Sequence, residues 1–151
     1  MSRRAQIRMT AEEQAEFLRT APKASLATID QDGFPHVVAM SFLAKDGLIY
    51  MTSYGKAQKV LNIRRNPHVG VMIETGSRYD EYRAVMIRGR CEVIEDTAEV
   101  AAIMRESREK ATGDTSQSRD EALTRAPKRV LLKVIPEKIA TWDHTKLGGR
   151  Y

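Results

Sequence analysis

Apolar residues fall along the chain in short runs of two kinds, and each run is closed by a recognisable polar or turn signal. Thr10 followed by Glu13 is a capping-box pattern, and Phe17 and Leu18 supply the apolar side of a short helix that ends near Thr20 and Pro22. The runs "ASLATID", "PHVVAMSFLA" and "LIYMTS" come next, separated by Asp32-Gly33 and Asp46-Gly47. Asp-Gly pairs between β-rich runs are hairpin signals, so the pattern predicts three antiparallel strands in a meander over Ser25 to Ser53.

The period then changes. Ala57, Val60, Leu61 and Ile63 recur at helical spacing, and Asn66-Pro67 stops the run, because the residue before proline avoids the α region. A helix over Lys56 to Arg65 is predicted. "VGVMIET" and "RAVMIRGRCEVI" read as strands with the loop "TGSRYDEY" between them, and "DTAEVAAIMRESREKA" reads as a helix with Val100, Ile103 and Met104 inward. The polar stretch Ala111 to Glu121 reads as a loop between helices, and "KRVLLKVIPEKIATWD" as one or two last strands with Pro136 at a break or edge. Six or seven strands in antiparallel succession, with three or four helices at their ends and no βαβ alternation, define a mainly β (α+β) chain built as a barrel or sandwich.

At 151 residues the chain is expected to be a single domain, 1–151. With 30% charged and 42% apolar residues it has the balance of a globular protein rather than a disordered one. The net charge of +5 favours an anionic partner. Cys91 is the single cysteine, which leaves no intrachain disulfide to form and no metal-binding spacing. The first residues carry arginines with no apolar segment behind them, and no run approaches the roughly 18 apolar residues of a membrane span, so the expected compartment is the cytoplasm, away from any membrane.

Charge is concentrated in the predicted helix after the third strand, which carries Lys56, Lys59, Arg64 and Arg65. A helix start presents unpaired N–H groups and the positive end of the macrodipole. Here it is preceded by the hydroxyls of Thr52 and Ser53, loosened by Gly55 and flanked by Lys56 and Lys59, a set that would suit a phosphate if its members converge. The alternative is a solvated helix face, with Arg64 snorkelling at the helix end or reaching an acidic group. His36, His68 and His144 stand at no spacing that marks a catalytic acid, a nucleophile or a metal site. Tyr79 and Tyr82 either line a substrate pocket or cover the barrel end. A nucleic-acid binder would use the same cations but would add stacking aromatics, and only 6% of the chain is aromatic, with none in the basic helix.

The sequence from about Phe17 to Trp142, and "TSYGKAQKVLNIRRNP" above all, resembles the pyridoxamine 5′-phosphate oxidase-like flavin and deazaflavin proteins. The resemblance implies an antiparallel split β-barrel of the FMN-binding kind with peripheral helices. It also implies a homodimer with two equivalent cofactor sites in the groove between subunits, and a small-molecule substrate. Val38, Ala39, Met40 and Ser41 would lie along the tricyclic ring, Thr52, Ser53, Lys56 and Lys59 would bind the cofactor phosphate, and Trp142 would close the site from the partner chain. Ordinary strand and core roles are the competing readings for Val38, Met40 and Trp142. The chain ends in "WDHTKLGGRY" without the arginine-rich substrate motif of the vitamin B6 oxidase. It looks closer to the branch that binds the deazaflavin coenzyme F420, whose anionic tail would suit Arg64, Arg65 and Arg78. FMN is the alternative cofactor. A non-catalytic flavin- or haem-binding relative is a third class, in which His144 would be the candidate ligand.

Overall fold

The computed structural model describes residues 1–150. Helix α1 (Arg3–Gln6) is a single turn capped by Ser2, which the sequence pattern does not announce. Helix α2 (Ala11–Thr20) begins in the expected capping box: Glu13 N–H donates to Thr10 Oγ1 at 3.1 Å, and Thr10 N–H donates to Glu13 Oε2 at 2.7 Å. It buries Phe17 and stops at Ala21, ahead of Pro22.

Strands β1 (Ala24–Ile29) and β2 (Pro35–Met40) form a hairpin in register from Ala24↔Met40 to Ile29↔Pro35. Its turn is closed by Asp30 N–H to the Phe34 carbonyl, with Gly33 at φ +84° and Asp30 Oδ1 accepting from the N–H groups of Asp32 and Phe34. This is a three-residue connection with glycine at the left-handed position. Strands β3 (Leu43–Lys45) and β4 (Leu48–Tyr54) form the second hairpin, across Asp46 and Gly47, both at positive φ as a two-residue type I′ turn requires.

The predicted meander is corrected at one point. β2 and β3 do not pair: they lie at opposite edges of one seven-stranded antiparallel sheet of order β2-β1-β5-β6-β7-β4-β3. The apolar run "PHVVAMSFLA" breaks at Ser41-Phe42 because Phe42 turns into the core, 2% exposed, and its carbonyl is held by Lys110 Nζ at 3.1 Å. The chain thereby crosses from one edge of the curled sheet to the other, the half-barrel form of a split barrel.

Helix α3 (Gln58–Arg65) follows β4, and strands β5 (His68–Thr75) and β6 (Arg83–Ile94) follow α3. Helix α4 (Thr97–Thr112) is capped by Asp96 and ends at Gly113, φ +71°. Helix α5 (Arg119–Arg125) starts inside the stretch read as a loop, from a capping box of Ser118 and Glu121, and its few apolar residues are too short a run to show a period. Strand β7 (Arg129–Asp143) is one continuous strand. Pro136 is accommodated at a bulge opposite Gly89, where any Cβ would stand 2.2 Å from the Ile135 carbonyl oxygen.

Two apolar clusters follow from the alternation. Leu26, Met51, Val71, Ile87, Leu132 and Val134 fill the inside of the barrel. Val100, Ile103, Ala122 and Leu131 join α4 and α5 to the outside of β4 and β7, over Tyr50 and Leu43. Lys110 ties this layer down: it sits over the Phe42 ring at 3.6 Å, and burial holds its pKa below the ordinary lysine value. The outer face of β1, β2, β5 and β6, and of the far half of β7, has no such cover. Val37 and Met86 stand there 59% and 43% exposed.

Candidate functional site

The basic stretch divides its charges between two tasks. Arg64 Nη2 pairs with Glu95 Oε1 at 2.6 Å, the acidic partner for which its place in the helix allows. Arg65 Nη2 donates to the Ile29 carbonyl at 2.7 Å. Behind it, Gln58 Nε2 donates to Asn62 Oδ1 at 2.8 Å, and Asn62 Nδ2 donates to Thr28 Oγ1 at 3.0 Å. Asn62 and Thr28 are fully buried, so this chain of hydrogen bonds fixes α3 across the end of β1. Arg64 and Arg65 therefore hold structure. Among the described residues, Lys56 and Lys59 form no ion pair.

Helix α3 begins two residues later than the sequence predicts, at Gln58, with Ala57 as its cap residue and no side-chain cap. Its first N–H groups, at Gln58 and Lys59, are left to whatever binds there. Lys56 precedes the helix and Lys59 lies in its first turn. Thr52 and Ser53 do not converge as a pair on that point. They are successive strand residues, so Ser53 faces the barrel interior, 5% exposed, and Thr52 faces the other side.

On β2, Ala39 faces outward and Val38 and Met40 pack against the core cluster; Ser41, just beyond the strand, is exposed. β2 is an edge strand, paired to β1 alone, so half of its backbone donors and acceptors are unpaired by the sheet. Trp142 lies half-buried on the outer face, opposite Ala84. Between β2 and Trp142 on β7 stand β1, β5 and β6, a path of about 19 Å along the sheet at ~4.8 Å per strand. One chain does not bring Trp142 to the residues 38–41.

A cleft of about 640 Å³ adjoins the start of α3. Its cations are Lys56, Arg64, Lys128 and Arg129, and its one carboxylate is Glu95. Tyr54 and Val130 give it an apolar side. Lys128, Arg129 and Tyr54 escaped the sequence reading, because only the β4–β7 register, which sets Tyr54 opposite Arg129, joins segments 75 residues apart. The sole local signal was two cations ahead of an apolar run.

A second grouping gathers Tyr79, Tyr82 and His144 at the barrel end, with ring centroids of Tyr79 at 5.8 Å from Tyr82 and 4.5 Å from His144. His144 Nδ1 lies 2.8 Å from the Tyr79 carbonyl, which fixes that nitrogen as the donor. Beside it Asp143 accepts from Thr145 Oγ1 and lies 3.2 Å from Arg83 Nε. Arg78 is engaged locally with Asp80 at 2.6 Å.

A curled antiparallel sheet with an uncapped basic helix after its fourth strand defines a split-barrel protein. The chain belongs to the pyridoxamine 5′-phosphate oxidase family, whose model matches residues 10–143. It is similar to a conserved hypothetical protein of Mycobacterium tuberculosis, with 33% identity, 100% of this chain and 95% of the other covered, and a TM-score of 0.90. It is similar also to an F420 reductase, with 26% identity, 83% and 94% covered, and a TM-score of 0.65. A FAD-binding protein of Mesorhizobium loti shares the fold, with 21% identity, 88% and 92% covered, and a TM-score of 0.66. No curated protein matches the sequence.

Proposed function

We propose that the protein is an oxidoreductase that uses the deazaflavin coenzyme F420 to transfer a hydride to or from a small organic substrate, with FMN as the alternative cofactor of the same site. The observation that carries this reading is the start of α3, where N–H groups without a side-chain cap stand beside two lysines that form no ion pair among the described residues, next to a cationic cleft. The likeness to an F420 reductase supports the deazaflavin over FMN. When bound, the ring supplies the two-electron chemistry, and the protein's part is to hold, orient and shield.

In this reading Lys56, Lys59 and the first N–H groups of α3 hold the phosphate, with the outward Thr52 hydroxyl rather than Ser53 beside them. The edge strand β2, over Val38, Ala39, Met40 and Ser41, offers its unpaired backbone groups to the polar edge of the ring. Val38 and Met40 keep that edge in place by packing inward. Trp142 comes from a second copy of the chain, docked on the uncovered outer face that carries Val37, Ala39, Met72 and Met86. The pairing excludes water from the groove, which strengthens the charged contacts made there.

The test is the pair Lys56→Ala and Lys59→Ala in one variant. Charge-assisted hydrogen bonds are worth about 1.5–3 kcal/mol, so affinity for coenzyme F420 should fall by about tenfold or more with the far-UV circular dichroism unchanged. Unchanged affinity would return both lysines to a solvated helix face.

A further inference from the structure

Trp142 stands at the end of β7, where the sheet supports only one edge of the strand. β6 pairs with β7 as far as Arg83↔Asp143, but β4 leaves it after Val134. A strand end without a neighbour has unpaired backbone groups and nothing to hold it in place. Here the open edge is taken by the segment ahead of α2. Asp143 N–H donates to the Ile7 carbonyl at 2.7 Å, and Met9 N–H donates to Thr141 Oγ1 at 3.0 Å. Lys146 Nζ adds a third tie, to the Arg8 carbonyl at 2.8 Å. Residues on both sides of Trp142 are thus bonded to residues 7–9.

The next two residues are buried and polar. Asp143 is 6% exposed, accepts from the N–H and the hydroxyl of Thr145, and lies 3.2 Å from Nε of Arg83, its cross-strand partner. His144 is clasped from the opposite side: its backbone N–H donates to the Tyr82 carbonyl at 2.9 Å, and its Nδ1 lies 2.8 Å from the Tyr79 carbonyl. None of these bonds is made by the indole of Trp142. They fix the backbone before and after it, and with it the direction in which the ring leaves the outer face of the sheet.

We propose that Thr141, Asp143 and Lys146 are positioning residues for Trp142, and that residues 7–9 are the strap through which they act. The inference rests on the reading of Trp142 as the residue that closes the cofactor site of a second copy of the chain. A side chain that reaches into another chain's site acts only if its own backbone is held, because looseness of about 0.5 Å is enough to spoil a binding geometry. Asp143 fits that role. A buried ion pair adds little stability over an apolar pair of the same size, and what it supplies here is a fixed position.

Trp142 is the single tryptophan, so acrylamide quenching of its fluorescence reads its local freedom with no ligand present. Thr141→Val removes the acceptor for Met9 N–H and keeps a β-branched side chain, whereas Thr141→Ser keeps the acceptor. The expected result is stronger quenching than wild type in Thr141→Val and wild-type quenching in Thr141→Ser, with the far-UV circular dichroism of both unchanged. Affinity for coenzyme F420 should fall about threefold or more in Thr141→Val, and by less than about twofold when the same change is made in a Trp142→Phe protein. Lys146→Met, at a side chain that is partly exposed, should act in the same direction and replaces Thr141→Val if that variant does not fold. Wild-type quenching in these variants, or an equal loss of affinity with and without Trp142, would overturn the positioning role. The reading of Trp142 is scored separately: it fails if Trp142→Phe binds coenzyme F420 as tightly as wild type, whatever the quenching shows.

Discussion

Cys91 points into the barrel from β6, 4% exposed, and burial pushes its thiol up to about 12. The thiolate is the reactive form, so at neutral pH the native protein should leave a thiol reagent such as Ellman's unconsumed and react with one equivalent after unfolding in urea. Rapid native labelling would contradict that burial. The same scale separates the charges of α3. Arg65 joins a buried network through Asn62 and Thr28, so Arg65→Ala should lower stability and Lys56→Ala should not, a contrast that denaturation by urea reads directly. Sequence spacing placed all four cations correctly in one window. It could not divide them, because the division depends on Glu95 and on the Ile29 carbonyl, groups about 30 residues away along the chain.

Two elements carry the strictest local conditions. The β6–β7 bulge brings Gly89 so close to Ile135 that a methyl group has no room, and Gly89→Ala should cost about 1–3 kcal/mol or more in denaturation experiments. The capping box of α2 is tied to the C-terminal segment, since Glu13 Oε2 also accepts from Lys146 Nζ at 2.5 Å. That hydrogen bond, followed by the one from Thr10, lowers the Glu13 pKa below its ordinary 4.5. A lowered carboxylate pKa stabilises the fold above the unfolded value, and the contribution disappears as pH falls through the folded one. Glu13→Gln keeps the cap but loses the charge. Its stability deficit against wild type should be present at pH 7 and shrink below about pH 4.5, whereas a deficit constant with pH would remove the ion pair from the account. The α2 capping box, the Asp46-Gly47 turn and strands β5 and β6 were legible in the sequence because each is set by near neighbours. The split of the meander at Ser41-Phe42 was not, because it depends on Phe42 meeting Lys110, 68 residues away. The passage of β7 through Pro136 depends likewise on a glycine in another strand.

At the scale of the whole molecule, α4 and α5 cover the outer face of β4 and β7 and leave the outer face of β1, β2, β5 and β6 bare. In the proposed dimer a second copy of the chain would cover Val37 and Met86 on that bare face and bring its Trp142 to residues 38–41. Met86→Glu should leave the barrel folded while shifting sedimentation from dimer to monomer and weakening cofactor binding, since each site would lose the half the partner supplies. A wild-type protein that sediments as a monomer with cofactor bound would sink the shared groove. The resemblance visible from Phe17 to Trp142 named the family, whose model spans residues 10–143. The cleft wall at Lys128 and Arg129 lay beyond it, because no motif marks residues assembled by strand register.

The central claim is that the basic start of α3 and its neighbouring cleft serve a deazaflavin. Trp142 is the single tryptophan, so its fluorescence reports on the proposed groove. Titration of the purified protein with coenzyme F420 and with FMN should quench it in both cases and at lower concentration with coenzyme F420. Tighter binding of FMN, or binding of neither, would contradict the account.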